Sequence, residues 1–250
     1  MSKQPYFYSH LILPQLATHL VGGNVLDVGC GGGWLTRELK QRHPALKIEG
    51  MDKHYKFIQS ANYHAYQQQL DISYRIENLE TLSAETYKEN YELITCHNVF
   101  AHIRQPQKEM LKLLSWLKKG GVLSVIIENP ASHWVASAVG NVPLSFEAVK
   151  MGYEQNELPE AFANSRAHLK TRRVLTGDPR VLYSATDVEK WLSSLSNVSI
   201  EMRGLSVFMD YISNPNIHSS EQISLEQKLS VHPLWNPYAY FHHFLIIKKE

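Results

Sequence analysis

The stretch VLDVGCGGGWLT, Val25 to Thr36, decides how the rest of this chain is read. Val25, Leu26 and Val28 make the apolar run of a buried parallel strand, and Leu35 to Leu39 open a helix. Between them lies a backbone almost free of side chains, which invites a ligand pressed against the end of the strand. Outward from this turn, short apolar runs alternate with helical patterns. Strands are expected over Asn24 to Val28, Lys47 to Met51, Ile72 to Glu77, Tyr91 to Cys96 and Val122 to Glu128, and helices over Leu35 to Arg42, Tyr55 to Gln68 and Gln107 to Lys118. Such alternation implies right-handed βαβ units and a parallel sheet covered on both faces.

The KKGG of Lys118 to Gly121 reads as a helix stop, with cations in the last turn and glycine beyond. After Asn129-Pro130 the rhythm changes: Ser132 to Val139 looks helical, and about forty residues to Tyr183 then show no clear period, too long for a plain connector. Regular structure returns with SATDVEKWLSSL, where Thr186 and Glu189 form a capping-box pattern. Two β-like runs, Val198 to Tyr211 and Tyr240 to Lys248, close the chain and are expected to pair antiparallel. The reading is a single domain over 1–250, with a core at 21–130, an insertion at 131–183 that faces substrate or acts as a lid, and a closing helix and two strands at 184–250.

Composition narrows the function. With 250 residues and 44% hydrophobic content the chain can fill one sizeable core. Lys and Arg number 25 against 24 Asp and Glu, so no global field draws it to nucleic acid or anionic membrane. The two cysteines, Cys30 and Cys96, sit in apolar strand contexts, which argues for a reducing compartment, the cytoplasm by default. MSKQPYFYSH does not resemble an export signal, and no segment approaches 18 consecutive apolar residues. Neither paired Cys nor paired His spacing suggests a metal. Oligomeric state is left open.

The glycine turn can be tested against ligands. A dinucleotide fingerprint needs a third glycine where this chain has Trp34. The glycines fall instead at Gly29, Gly31 and Gly33, behind Asp27. A buried acid beside the ligand suits a cationic sulfonium better than a pyrophosphate, so the turn fits S-adenosylmethionine. Asp52 ends the next strand, where an acid meets a ribose and accepts its hydroxyl protons. Asn78, Leu79 and Glu80 end the third strand and can hold an adenine ring and its exocyclic amine. His97 ends the fourth, facing the crevice, though a histidine there is often a satisfied structural one.

These residues resemble the class I S-adenosylmethionine-dependent methyltransferases, through VLDVGCGGG, Asp52 and KGGVLSVIIEN. More narrowly, from Val25 to the C-terminus the chain resembles the tRNA carboxymethoxyuridine methyltransferases, through His97, Asn129, Ala138 to Asn141, RRVLTGDPR and GLSVFMDY. The resemblance implies a Rossmann-like α/β fold: a seven-stranded, mostly parallel sheet with an antiparallel last strand and an insertion after strand five. It also implies cofactor contacts at Gly29, Cys30, Asp52, Leu79, Glu80 and His97. Cys30 and Cys96 read on their own as packing residues.

Two departures bear on the acceptor. The family's strand-six arginine, which would pair with a substrate carboxylate, is Ser206 here, and Arg203, three residues away on an extended strand, faces the other side. The family's N-terminal arginine has only Tyr8, Ser9 or His10 as stand-ins. Methyl transfer from a sulfonium asks the protein mainly to position a nucleophile and exclude water. A carboxylate acceptor needs no base, whereas a hydroxyl or amine would use one, for which His133 is the candidate if it is not merely a first-turn surface residue. Asn129, Arg172, Arg173, Ser206 and Tyr211 are the expected acceptor-side residues. Arg166, Lys170, Arg172, Arg173 and Arg180 would track phosphates or form a solvated loop, and Tyr153, Phe162, Trp134 and Tyr183 would line a pocket for a base. The first reading is therefore methylation of an oxygen on a modified tRNA wobble nucleoside. The alternative, prompted by Ser206, is a small-molecule O- or N-methyltransferase of specialised metabolism.

Overall fold

The computed structural model describes residues 8–20, 22–132, 135, 145–159, 162, 173–174, 180–208 and 219–249; for Tyr8, Arg173 and Val174 it describes the backbone alone. The main sheet has seven strands: β1 (Asn24–Val28), β2 (Lys47–Asp52), β3 (Ser73–Ile76), β4 (Tyr91–His97), β5 (Leu117–Glu128), β8 (Val198–Leu205) and β9 (Phe241–Lys248). Their order is β3-β2-β1-β4-β5-β9-β8. A separate two-stranded antiparallel piece joins β6 (Arg173–Val174) to β7 (Val181–Leu182). Strands β1 to β5 pair in parallel, with Val25 beside Ile48 on one side and beside Leu93 on the other. Val25, Leu26, Leu93, Ile94, Leu123 and Val125 are all inaccessible, as a parallel sheet covered on both faces requires.

The last strand runs antiparallel. At one end of β9 the Tyr240 N–H reaches the Ser206 carbonyl, and at the other the Lys249 N–H reaches the Asn197 carbonyl. On its other flank Asn129 N–H donates to Tyr240 O, while Lys248 Nζ donates to Leu117 O. The mostly parallel seven-stranded fold with an antiparallel final strand is therefore the one expected.

The α-helices whose full extent lies among the described residues are α1 (Leu13–Ala17), α2 (Trp34–Arg42), α3 (Tyr55–Gln67), α4 (Pro106–Trp116), α5 (Phe146–Gln155), α6 (Ala185–Leu192) and α7 (Ser220–Leu229). Two compact units emerge. The first holds Leu13–Ile126, Trp191–Glu201 and Phe244–Glu250; the second holds Met1–Ile12, Ile127–Lys190 and Met202–His243.

Local signals misled at several places. Lys118 to Gly121 do not end a helix: α4 stops at Trp116 and these four residues belong to β5. There Gly120 takes φ +76°, and the pairing jumps from Tyr91 with Leu117 to Leu93 with Val122, so the glycines form a bulge. The capping box of α6 lies two residues earlier than expected. Ser184 N–H donates to Asp187 Oδ2 at 2.8 Å and Asp187 N–H to Ser184 Oγ at 3.3 Å, because buried Val188 and Leu192 set the helix phase. Helix α5 falls in the stretch expected to lack periodicity; Ser145 caps it, and buried Val149 with Gly152 forms its inner face. Helix α7, with a full capping box of Ser219 and Gln222, was also not anticipated. Of the helix expected over Ser132 to Val139, only Ser132 and Val135 are described, both helical.

Candidate cofactor site

The turn after β1 is held by the neighbouring strand. Gly29 and Cys30 N–H both donate to Met51 O, at 2.8 and 3.0 Å, and Gly33 N–H closes on Cys30 O at 2.9 Å. Alternate glycines are left-handed, with φ of +71° at Gly29, +53° at Gly31 and +70° at Gly33. Their reasons differ. A Cβ on Gly29 would strike Val99, and one on Gly33 would strike Tyr74 and Ala61, so these two glycines serve close packing. A Cβ on Gly31 would meet nothing within 4 Å. Gly31 is therefore the glycine of this turn whose backbone borders open space.

Two carboxylates border this turn. Asp27 is 4% exposed and its Oδ1 accepts from Thr95 Oγ at 2.7 Å. Burial pushes its carboxyl up to about 7 from an ordinary 3.8, partly offset by the Thr95 hydrogen bond, with Asp52 adding repulsion. Asp52, 8% exposed, accepts from Gly31 N–H at 3.1 Å through Oδ2 and from His54 N–H at 2.9 Å through Oδ1, with His54 Nδ1 at 3.0 Å. It therefore anchors the open glycine from the end of β2.

Beyond β3, Asn78 Oδ1 accepts from Glu80 N–H at 3.1 Å and caps the turn Leu79–Thr81, burying Leu79. Glu80 Oε1 accepts from Arg104 N–H at 3.1 Å. Under the turn lies a buried ion pair: Lys112 Nζ is 2.7 Å from Glu109 Oε2 and donates to Leu79 O at 2.8 Å. His97 Nε2 lies 2.8 Å from Ser124 Oγ. Burial and the two nearby acids push the Cys30 thiol well up, and burial does the same for Cys96, so both are neutral packing thiols. The first unit thus gathers Asp27, Gly29, Cys30, Gly31, Gly33 and Asp52 at one strand end, with Asn78, Leu79, Glu80 and His97 at the ends of neighbouring strands. Sequence reading missed Thr95, Tyr74, Val99 and the Glu109–Lys112 pair. Only the last left a trace, as charges spaced i, i+3 beside apolar Met110 and Leu113 on α4.

The titration of Asp27 gives a first expected result. Because folding raises this carboxyl, the free chain loses stability from it as pH climbs from about 4 toward 7. A sulfonium favours the ionised carboxylate, so S-adenosylmethionine affinity should rise through pH 7 while that of neutral S-adenosylhomocysteine changes little. Calorimetric titrations of both ligands between pH 6 and 8 check this. Parallel profiles would remove Asp27 as the sulfonium's partner.

The residues expected on the acceptor side lie in the second unit or outside the described residues. Asn129 is inaccessible and fully engaged: Nδ2 donates to Pro237 O and Ala239 O at 3.0 and 2.8 Å, and Oδ1 accepts from Ala131 N–H at 3.1 Å. Ser206, just past β8, is inaccessible at φ +55°, and its Oγ has no hydrogen-bond partner among the described residues. Arg180 lies 3.6 Å from Glu128. Phe162 and Tyr183 are buried; Phe162 packs 5.4 Å from Trp235 and 5.6 Å from Tyr238, as core and not as an open stacking platform. His242 and His243 are buried in β9, and desolvation pushes them down to about 4 and about 3, so they are neutral core histidines. His133, Trp134, Arg166, Lys170, Arg172 and Tyr211 lie outside the described residues, as does the side chain of Arg173. Among the described residues no three His, Cys, Asp or Glu cluster as metal ligands, and no helix is long and apolar enough to cross a membrane.

A left-handed glycine turn, an acid at the end of β2 and a capped turn after β3, all on this sheet order, define a class I S-adenosylmethionine-dependent methyltransferase. A family described as methyltransferase domain matches residues 2–195, and the chain belongs to it. It is 38% identical over 104 residues to a ubiquinone biosynthesis O-methyltransferase of Coxiella burnetii, covering 42% of this chain and 43% of that protein. A Salmonella enteritidis protein of the same name is 29% identical over 122 residues, covering 48% of this chain and 49% of that one. The chain thus spans under half the length of the curated relatives it matches. Among solved structures, the plantazolicin methyltransferase BpumL in complex with SAH superposes with a TM-score of 0.56 at 16% identity, covering 98% of this chain and 84% of that one. The PH0226 protein of Pyrococcus horikoshii superposes at 0.59 and 11% identity, covering 99% and 92%. Both share the fold.

Proposed function

We propose that this methyltransferase carries the methyl group of S-adenosylmethionine to an oxygen of a small molecule and not to a tRNA wobble nucleoside. The observation that carries this reading is Ser206. Where the tRNA family would use an arginine against an acceptor carboxylate, this chain has a buried serine on left-handed backbone, which offers no cation. A charge-assisted contact worth roughly 1.5 to 3 kcal/mol is thereby missing. The partial similarity to ubiquinone biosynthesis O-methyltransferases supports an oxygen acceptor on a small molecule. Of the cations that would follow RNA phosphates, Arg180 is close to Glu128.

In this reading the first unit holds the cofactor, with Asp27 facing the sulfonium, Asp52 the ribose and the Asn78–Glu80 turn the adenine. A hydroxyl acceptor must lose its proton as the methyl arrives, and His133 is the proposed base. Asn129 acts through the backbone, fixing residues 237–239. Arg172, Arg173 and Tyr211 remain proposed acceptor-side residues.

The test incubates the purified chain with methyl-labelled cofactor and cell extract, then separates bulk tRNA, water-soluble metabolites and the organic extract. Label is expected in the metabolite or organic fraction as a base-stable methyl ether. Label confined to tRNA would return the reading to the wobble nucleoside. A His133→Ala variant should lower turnover at least tenfold at unchanged cofactor affinity if the acceptor is a hydroxyl.

A further inference from the structure

Helix α3 carries an unusual outer stripe. Tyr55, Gln59, Asn62 and Tyr66 follow each other at intervals of four, three and four residues, which aligns them along one side of a helix. All four are exposed, Tyr55 by 61% and Tyr66 by 80%, with Tyr63 beside them at 60%. The inner side of the helix is Ile58, Ala61 and Ala65. Its flank toward α2 is also fixed, because Gln68 bonds to Gln41 and Ala61 lies against Gly33. The stripe therefore faces away from α2, toward the outer edge of the sheet.

That edge is β3, the terminal strand. Tyr74 meets Gly33 and Thr36 on the helix side, and Ile76, two residues on, shares that side and is 54% exposed. A terminal strand with an exposed isoleucine and a tyrosine stripe next to it is a surface that monomeric proteins usually blunt.

We propose that a second copy of this chain docks here, its β3 pairing antiparallel with β3 and its α3 stripe lying antiparallel along the same stripe. Self-recognition is favoured by the order of the residues. Tyr-Gln-Asn-Tyr reads nearly the same from either end, so a two-fold axis sets Tyr55 against the other copy's Tyr66 and Gln59 against its Asn62, an isologous contact. The Asn62 amide nitrogen already donates to Ile58 O at 3.1 Å, which leaves its carbonyl to accept from the opposing Gln59. None of the four stripe residues is charged, so the stripe sets no like charges against each other.

Spacing agrees. Helix α3 packs over both β2 and β3. With strands about 4.8 Å apart, the midline between β2 and β3 lies about one strand spacing from a two-fold placed just outside β3. The paired helices then sit about 10 Å apart, at the upper end of ordinary helix packing. Tyr55, Tyr63 and Tyr66 offer on the order of 400 Å² on each copy. That is about half of what a standard interface buries per partner; Gln59, Asn62, Ile76 and the strand edge supply the rest.

The test is the mass of the full chain by light scattering on a sizing column across a concentration series. Twice the 28.7 kDa chain mass is expected, falling to 28.7 kDa in Tyr66→Glu and in Ile76→Glu with S-adenosylhomocysteine affinity unchanged. The paired change Tyr55→Cys with Tyr66→Cys should cross-link two copies under mild oxidant, which keeps the test decisive if a glutamate variant misfolds. A monomer at every concentration that also fails to cross-link overturns the proposal, as does a dimer that survives both glutamates. Binding of monomer to anionic phospholipid vesicles, abolished by Tyr66→Glu, would reassign the stripe to a membrane surface.

Discussion

Replacing Asp52 with alanine is expected to weaken S-adenosylmethionine binding about 100-fold, roughly 2.7 kcal/mol. One carboxylate does two jobs: in addition to its proposed contact with the ribose hydroxyls, Oδ2 holds the Gly31 N–H at 3.1 Å. Removing it deletes charge-assisted acceptors and releases the one glycine of the turn that faces open space. Asp52→Asn separates the two roles. An amide oxygen can still accept from Gly31 N–H but grips two ribose hydroxyls less well, so asparagine should fall between wild type and alanine. Calorimetry with S-adenosylhomocysteine measures all three, and equal affinities would deny Asp52 both roles.

The second large effect is expected at Gly29. Alanine there must adopt φ +71°, at a cost of roughly 1 to 2 kcal/mol, and its methyl collides with Val99. Together these should cost about 3 kcal/mol or more, lowering the thermal midpoint by roughly 6 to 12 °C for a chain of this size and abolishing measurable cofactor binding. Adding Val99→Ala removes the collision and leaves the backbone cost, so the double variant should regain about half of the lost stability. Gly31→Ala is the contrast: with no neighbour in reach, it should melt nearer to wild type yet bind cofactor poorly. If Val99→Ala restores nothing, the damage at Gly29 has another origin.

The half of the fold built from local pattern was readable before any coordinates. Strand β1 is an apolar run stopped by glycine, and its bounds came out as Asn24–Val28. Asp27 and Asp52 were recognisable because strand ends and glycine turns have a fixed spacing in βαβ units. Their partners were not. Thr95 reaches Asp27 across 68 positions, Tyr74 closes on Gly33 across 41, and Lys112 on Leu79 across 33, contacts that only the sheet order creates. Lys118 to Gly121 failed for a complementary reason. Cations followed by glycines serve a helix stop and a strand bulge alike, and the register of β4 against β5 chose between them. Helix α5 escaped notice because its inner face, Val149 and Gly152, is narrow; Gly152 is explained by Trp235 and the Glu157 carbonyl, far or hidden neighbours that leave no period. Asn129 looked like an acceptor ligand by position, but its amide is spent on the backbone at Pro237 and Ala239.

The backbone at Ser206 also limits how this enzyme can be re-engineered. Arginine at that position would have to enter a left-handed site, at roughly 1 to 2 kcal/mol, and place a guanidinium where the serine is wholly enclosed. A single codon change therefore does not convert this chain into a carboxylate reader. The enclosed backbone from Ser206 to Phe208 would have to be rebuilt first, so a change of acceptor by that route asks for a new main-chain path as well as a new side chain.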